Sequence, residues 1–472
     1  MAGATLPLLS ALVDKSLVRR IGPGQFDLHE LVRQYAADML AAAPDQQTAT
    51  QDRHADFYLN LIKIREPALK SDRQKEIIAE LSANIDNIRT AWNWAVTRMK
   101  STELRQAVRC LSWFYDLRGW LAEGQSIFNQ TSRQLQARVE AGSQPDADLN
   151  RTLGTVLAYQ GWHTMRLGRH EESLPVLERS VALLRSANDP LTLSDALNYL
   201  GTSWYMMGHY AEARALLEES WVWVEPLDDP WSHWFCLAEL GLVAHAQGRY
   251  LEAERFYKDG LAGFKNERDP RATSFTLGFL SATLQVLGKY DEVEQLLQDS
   301  LQLTRETGDR MAQGTALHHL GQLARNQGLL AKAQQLLQES VSLFREIGDR
   351  WSLARTLDDL AQTALLMGQV TEAHAHFQAV IKTAMETEMV PVFLDALIGL
   401  AEVHRLEGDS ATSWELVNLV LTHPASSQEA KDRAGQIQAE LVRHTASSPT
   451  NTTSPSEPPR TLEQVIAAIL KT

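Results

Sequence analysis

The sequence predicts an all-α protein: a right-handed α-solenoid of helix pairs, preceded by a small N-terminal unit that carries a β-hairpin. Three observations predict it. Gly168, Gly208, Gly248, Gly288, Gly328, Gly368 and Gly408 stand 40 residues apart, and a fixed period of that size belongs to a solenoid, in which each unit buries its apolar face on the next. Leucines keep the same period at Leu157, Leu197, Leu237, Leu277, Leu317, Leu357 and Leu397, and again three residues on at Leu200, Leu240, Leu280, Leu320, Leu360 and Leu400, which is the spacing of one helical face. Between units come Asp189-Pro190, Asp229-Pro230 and Asp269-Pro270, then Gly308-Asp309-Arg310 and Gly348-Asp349-Arg350. Aspartate caps a helix N-terminus, and proline fits the first turn, where its missing N–H leaves no bond unmade.

Composition narrows the function. The 472 residues are 44% hydrophobic, with 26 glycines and 16 prolines, enough apolar material for a sizeable core. A formal net charge of -14 argues against a nucleic-acid or anionic-membrane surface. Cys110 and Cys236 form no C-x-x-C pair, so neither a disulfide framework nor a thiolate metal site is expected, and the expected compartment is a reducing cytoplasm. No apolar run reaches the roughly 18 to 20 residues of a membrane helix, and the N-terminus lacks the pattern of a secretory signal.

At the start of the chain, Leu6 to Leu12 predicts a short helix, Ser16 to Ile21 and Gln25 to His29 predict two strands around Gly22-Pro23-Gly24, and Glu30 to Leu40 predicts a second helix. The stretches Leu12-Val-Asp-Lys-Ser-Leu-Val18 and Phe26-Asp-Leu-His-Glu-Leu-Val-Arg-Gln-Tyr-Ala36 resemble the end of the winged-helix domain of signal-transduction ATPases with an NB-ARC nucleotide-binding module. The resemblance implies that residues 1–42 are a winged-helix remnant. Within it Leu28-His29-Glu30 aligns, with conservative departures, on the family's Met-His-Asp motif, whose histidine reaches bound ADP; His29 is thereby implied as a nucleotide sensor once an ATPase module is supplied. The sequence holds no P-loop, because Gly288-Lys289 is followed by Tyr290 where Ser or Thr is required. No cofactor is expected for this chain, and its DNA-reading helix would lie upstream of Met1.

Residues 43–100 are expected to form a helical connector, with helices at 51–69 and 73–99. In the latter, Ile77, Ile78, Leu81, Ile85, Ile88, Trp92 and Val96 recur at helical spacing. The connector resembles the segment that joins winged helix to repeats in the same ATPases, which implies mechanical coupling; capping the first repeat is a compatible role. Residues 101–424 are expected to hold one divergent repeat, marked by Gly119 and Gly124, and seven regular ones, with Ala141 to Asp146 looping out the extra length. Small residues at Gly161, Gly201, Gly241, Ser281, Gly321, Ala361 and Ala401 face others at Ala213, Ala253, Ala333 and Ala373, so the two helices of a pair can approach closely. The phrases Gly208-His-Tyr-Ala-Glu-Ala213 and Gly248-Arg-Tyr-Leu-Glu-Ala253 resemble the tetratricopeptide repeat. That repeat usually has a period of about 34 residues, so the longer period here implies longer helices, as in the sensor arrays of the same ATPase class.

In tetratricopeptide arrays the first helix of each pair lines the concave face. The resemblance therefore nominates its non-core positions as a ligand groove: Asp195, Asn198, Thr202 and Tyr205; Phe235, Leu242 and His245; Phe275 and Gln285; His318, Gln322 and Arg325; Arg355, Asp358 and Gln362. The early part is aromatic and apolar, the later part polar. Eight of the twelve tryptophans fall between Trp113 and Trp234, either filling gaps between helices or supplying binding anchors. His318-His319 and His374-Ala-His376 lack the i,i+4 spacing that points two ligands at one metal, and no G-x-S-x-G or comparable nucleophile motif occurs; neither a metal site nor an enzyme is expected.

Residues 425–444 are expected to cap the array, 445–460 to be a polar linker, and 461–472 to form a short helix. Leu462, Val465, Ile466, Ile469 and Leu470 fall on one face of that helix, an apolar stripe suited to self-docking in the groove. Two functional readings result. One is the sensing part of an NB-ARC (STAND) type regulator that binds a protein or peptide in its groove; the other is a freestanding adaptor scaffold. Neither calls for a nucleic-acid or membrane partner.

Overall fold

A computed structural model describes residues 6–22, 25–142, 146–289 and 292–447. The hairpin turn at Pro23 and Gly24, part of the loop from Ala141 to Asp146, the linker from residue 448 on, and the C-terminal helix with its self-docking lie outside the described residues, while 445–447, expected in the linker, continue the last helix. Among the described residues there are 22 helices and one two-stranded sheet, and no helix is long and apolar enough to cross a membrane.

The chain opens with α1 (Leu6–Asp14), the antiparallel strands β1 (Val18–Gly22) and β2 (Gln25–Leu28), and α2 (Glu30–Ala41). The first strand begins later than the expected Ser16 because Ser16 takes φ 57°, a left-handed conformation that a strand cannot contain. On α2, Leu31, Tyr35 and Met39 stand at four-residue steps and are 70%, 67% and 58% exposed, so this small unit presents an apolar stripe. α3 (Pro44–Leu69) starts seven residues before the expected 51, with Pro44 in its first turn. The expected single helix over 73–99 is two, α4 (Gln74–Ala83) and α5 (Ile85–Thr97). The break falls at Asn84, whose amide folds back to donate to the Glu80 carbonyl at 2.8 Å, a local bond that competes with helix continuation.

Eight helix pairs then follow: α6 (Ser101–Leu117) with α7 (Leu121–Ala141), α8 (Ala147–Arg166) with α9 (His170–Ala187), α10 (Pro190–Met206) with α11 (Tyr210–Val224), α12 (Pro230–Ala246) with α13 (Tyr250–Glu267), α14 (Pro270–Val286) with α15 (Val293–Thr307), α16 (Arg310–Asn326) with α17 (Leu330–Ile347), α18 (Arg350–Leu366) with α19 (Val370–Glu386), and α20 (Val390–Glu407) with α21 (Ser410–Thr422). α22 (Gln428–Ser447) packs on α20 and α21 and covers the last pair. The ladder glycines sit at the joint inside each pair with φ between 73° and 87°, the left-handed region that ends a helix without a Cβ clash. Asp189, Asp229, Asp269, Asp309 and Asp349 each accept a backbone N–H from three residues ahead. A Cβ on Gly201 would lie 3.2 Å from the Ala213 carbonyl oxygen, so the small positions mark where paired helices touch.

One hydrophobic core runs from Ala55 to Leu200 without interruption, joining α3, α5 and the first repeats. The solenoid also winds back on itself. Tyr210 donates to the Ala425 carbonyl at 3.2 Å, the Glu171 N–H donates to Glu388 at 2.6 Å, and His245 lies 3.7 Å from Glu429. Each contact joins segments more than 180 residues apart.

Candidate functional site

Because the array winds tightly, the inward faces of the first helices meet across a narrow lumen. Arg109 on α6 bonds Asp229, 120 residues on, at 2.6 Å. Arg166 on α8 and Arg271 on α14 converge on Asp116 of α6 at 3.5 and 3.4 Å. Between these ties lies a cavity of about 220 Å³. Its walls are aromatic: Trp113 from α6, Trp162 from α8, Trp231 and Phe235 from α12, Phe275 and Phe279 from α14, and Trp351 from α18. Trp231 stacks on Phe235 with centroids 5.0 Å apart and planes 12° from parallel, and lies 4.2 Å from Trp113. The Lys70 ammonium sits 3.3 Å from the Trp113 centroid and 4.6 Å from that of Trp231. Burial, then the neighbouring Arg109, bring its pKa down to about 8.

Nearly every charge around this cavity is matched. Lys70 pairs with Glu66 at 3.3 Å. Arg109 also reaches Asp195 at 3.3 Å; burial opposes ionisation of Asp229, but Arg109 and Lys70 outweigh it and hold that carboxyl at about 2. Glu239, one turn beyond Phe235 on α12, is the exception. It lines the cavity, accepts the Thr202 hydroxyl on one oxygen at 2.8 Å, and has no cation within ion-pair distance among the described residues. Burial raises its pKa to about 7, against the Thr202 hydrogen bond and the field of Arg166.

Further along, the lumen wall becomes polar around Asp359 on α18. Its carboxylate takes His318 at 2.5 Å, Gln322 at 2.7 Å and Arg325 at 2.6 Å. Burial opposes that charge, but Arg325 and His318 outweigh it and hold the carboxyl well below the usual range. Burial also brings the imidazole of His318 below its ordinary pKa. Asp358 and Asp395 are both pushed upward, by burial first and then by neighbouring carboxylates. Among the described residues no group of three or more His, Cys, Asp or Glu side chains could hold a metal ion.

Of the residues nominated from sequence, the structure gathers Thr202, Phe235, Leu242 and Phe275 around the cavity, and His318, Gln322 and Arg325 around Asp359. Asp195 is 2% exposed and accepts the Tyr159 hydroxyl at 2.8 Å. Asn198 is fully buried, and neither atom of its amide has a protein partner. Tyr205 packs on Tyr210 at 5.8 Å, and His245 bonds the Thr283 hydroxyl at 2.9 Å. Gln285 accepts from Asn326 at 2.7 Å, Arg355 lies 4.7 Å over the Trp351 ring, and Gln362 donates to Asp358 on its own helix. Trp204, Trp221 and Trp223 pack against the cores instead of lining the cavity. His29 is the N-cap of α2, its Nδ1 accepting the Leu31 N–H at 3.4 Å.

The sequence reading missed Glu239 and Asp359, which share one column of the period with Tyr159, Tyr199, Phe279 and His319. That column adjoins the conserved-spacing leucines and so passes for core. Its change of chemistry from tyrosine to carboxylate was the available signal. Lys70, Trp113 and Arg271 were missed because only the winding of the whole array brings them to the cavity.

Tetratricopeptide-repeat family models match residues 193–222, 235–306 and 312–386. Over 198 residues the chain is 30% identical to proteins of Mycobacterium bovis and Mycobacterium tuberculosis named HTH-type transcriptional regulators; the match covers 40% of this chain and 21% of each of theirs. The fold is similar to a Signal Transduction ATPase with Numerous Domains (STAND) protein with a tetratricopeptide repeat sensor from Pyrococcus horikoshii, with TM-score 0.53 and 14% identity over 94% of this chain and 59% of that one. It is also similar to a Rap protein complexed with competence and sporulation factor, with TM-score 0.52 and 13% identity over 73% of this chain and 98% of that one. NprR in complex with its cognate peptide NprX gives TM-score 0.50 and 13% identity over 70% and 98%. The repeat matches and the shared fold together show an α-solenoid of tetratricopeptide-like helix pairs.

Proposed function

We propose that this chain is the sensing arm of a STAND-type signalling or transcriptional regulator, and that it binds a protein or peptide partner in its concave lumen. It acts by binding and not by catalysis. The observation that carries the reading is the aromatic-walled cavity built from the inward helices of five successive pairs, α6 to α14, together with α18, since large rigid aromatics anchor most tight interfaces. The sensor named in the Pyrococcus protein and the factor and peptide named with Rap and NprR support a binding role for such a lumen. The mycobacterial regulators support a regulatory output.

The apolar stripe of Leu31, Tyr35 and Met39 on α2 suits a surface that packs on a nucleotide-binding module. In that setting residues 1–42 act as a winged-helix remnant and 43–100 as the coupling to the repeats. Nδ1 of His29 is occupied by its own helix, so Nε2 is the atom that would meet a nucleotide. The test is capture from native cell extract by the wild-type chain and by the double variant Phe235→Ala, Phe275→Ala. The variant is expected to lose at least tenfold in affinity for whatever the wild type retains. Undiminished capture would overturn the lumenal site and favour an adaptor that binds on its outer surface.

A further inference from the structure

We propose that the lumenal cavity recognises a primary ammonium group carried on a small apolar or aromatic body, with Glu239 as its counter-ion and the faces of Trp231, Phe235 and Phe275 as its walls. The proposal rests on the lumenal binding reading and names the chemistry of what enters.

The argument begins with charge. The cavity is lined by both signs, yet its cations are already committed. Lys70 is sandwiched by Trp113 and Trp231 and paired with Glu66. Arg166 and Arg271 share Asp116, and Arg271 also lies 3.8 Å from Asp309. Asp269 and Asp349 are spent as helix caps on backbone N–H groups. An incoming anion would therefore have to break an existing pair. Glu239 has one oxygen on the Thr202 hydroxyl, and among the described residues no cation pairs with it, so an incoming cation completes a pair instead.

The walls reinforce that preference. Aromatic faces attract cations, most strongly where water is excluded, and Lys70 shows this wall already holding one ammonium, 3.3 Å from the Trp113 centroid. A carboxylate drawn out of water without a cationic partner is costly; half-buried Glu239 shows that cost in its raised pKa, about 7, and an ammonium would relieve it. Size sets the last limit. At about 220 Å³ the cavity is smaller than the roughly 300–1,000 Å³ of pockets for drug-sized ligands. It admits a one-ring amine, or the first residue of a peptide that continues along the polar part of the lumen.

The experiment is isothermal titration of the full chain with four probes: phenethylamine, the dipeptide amide Phe-Ala-NH2, its N-acetylated form, and 3-phenylpropionate as the acid of matching shape. Saturable binding of phenethylamine is expected, with 3-phenylpropionate at least tenfold weaker. Glu239→Gln, which keeps the shape and removes the charge, is expected to erase that difference while its circular dichroism stays that of the wild type. Tighter binding of Phe-Ala-NH2 than of phenethylamine, lost on acetylation, would assign the site to a peptide N-terminus; the reverse order would assign it to a free amine. Binding of neither amine, equal binding of amine and acid, or an unchanged amine affinity in Glu239→Gln would overturn the proposal. If the Phe235, Phe275 double variant still abolished partner capture, those results would leave the lumenal reading standing and remove only its chemistry.

Discussion

Gly208 and Gly368 carry the same residue in the same register of the repeat, and both take positive φ, 86° and 76°. Their surroundings differ. A Cβ on Gly208 would fall 2.3 Å from the Cβ of Ala425, whereas nothing lies within 4 Å of one on Gly368. An L-residue in the left-handed region costs about 1–2 kcal/mol, so Gly368→Ala is expected to lose about that much. Gly208→Ala has the same backbone strain and must in addition push apart two segments of the solenoid; a loss of about 3 kcal/mol or more is expected, in line with overpacking of a filled site. Urea denaturation of the two variants side by side checks the ordering, and equal losses would show that the Gly208 contact carries no weight.

At the scale of helices, Asp359 ties α18 to α16 by accepting from His318, Gln322 and Arg325 at once. Removing one partner of a buried ion pair leaves the other uncompensated, at about 3–5 kcal/mol. Asp359→Asn is expected to lose that amount at neutral pH. The double variant Asp359→Leu, Arg325→Met, which removes both charges, is expected to recover part of it; denaturation midpoints that show no recovery would mean that Arg325 is satisfied elsewhere. The elements themselves were legible in the sequence, because the glycine joints, the aspartate caps and the paired small residues each state a local backbone requirement. The exceptions were also local. Ser16 takes a left-handed conformation without being glycine, and Asn84 breaks a helix that an unbroken apolar stripe concealed. For the site, Phe235, Phe275 and Thr202 could be named because they occupy the concave columns of a known repeat. Glu239 and Asp359 lay one position over, in a column that elsewhere holds Tyr199 and Phe279 and so looked like packing.

On the scale of the whole chain, what the period could not convey is how tightly the pairs wind. That winding alone brings Arg109 to Asp229 and Tyr210 to Ala425, and it turns an open groove into a narrow lumen with an aromatic-walled cavity. Since repeat stability comes mainly from neighbouring pairs, the seam between distant segments can be parted without melting the helices that border it. Ala425 is 6% exposed and sits against Gly208, with Gln428 against Gly248 one repeat further on. An arginine at 425 cannot be seated there, so Ala425→Arg is expected to separate the two segments and widen the lumen. Solution X-ray scattering should then show a larger radius of gyration than the wild type while far-UV circular dichroism keeps its helical amplitude. A variant with unchanged dimensions would mean that the neighbour-to-neighbour interfaces alone set the winding, and that the seam is a consequence of the lumen's shape and not a support for it.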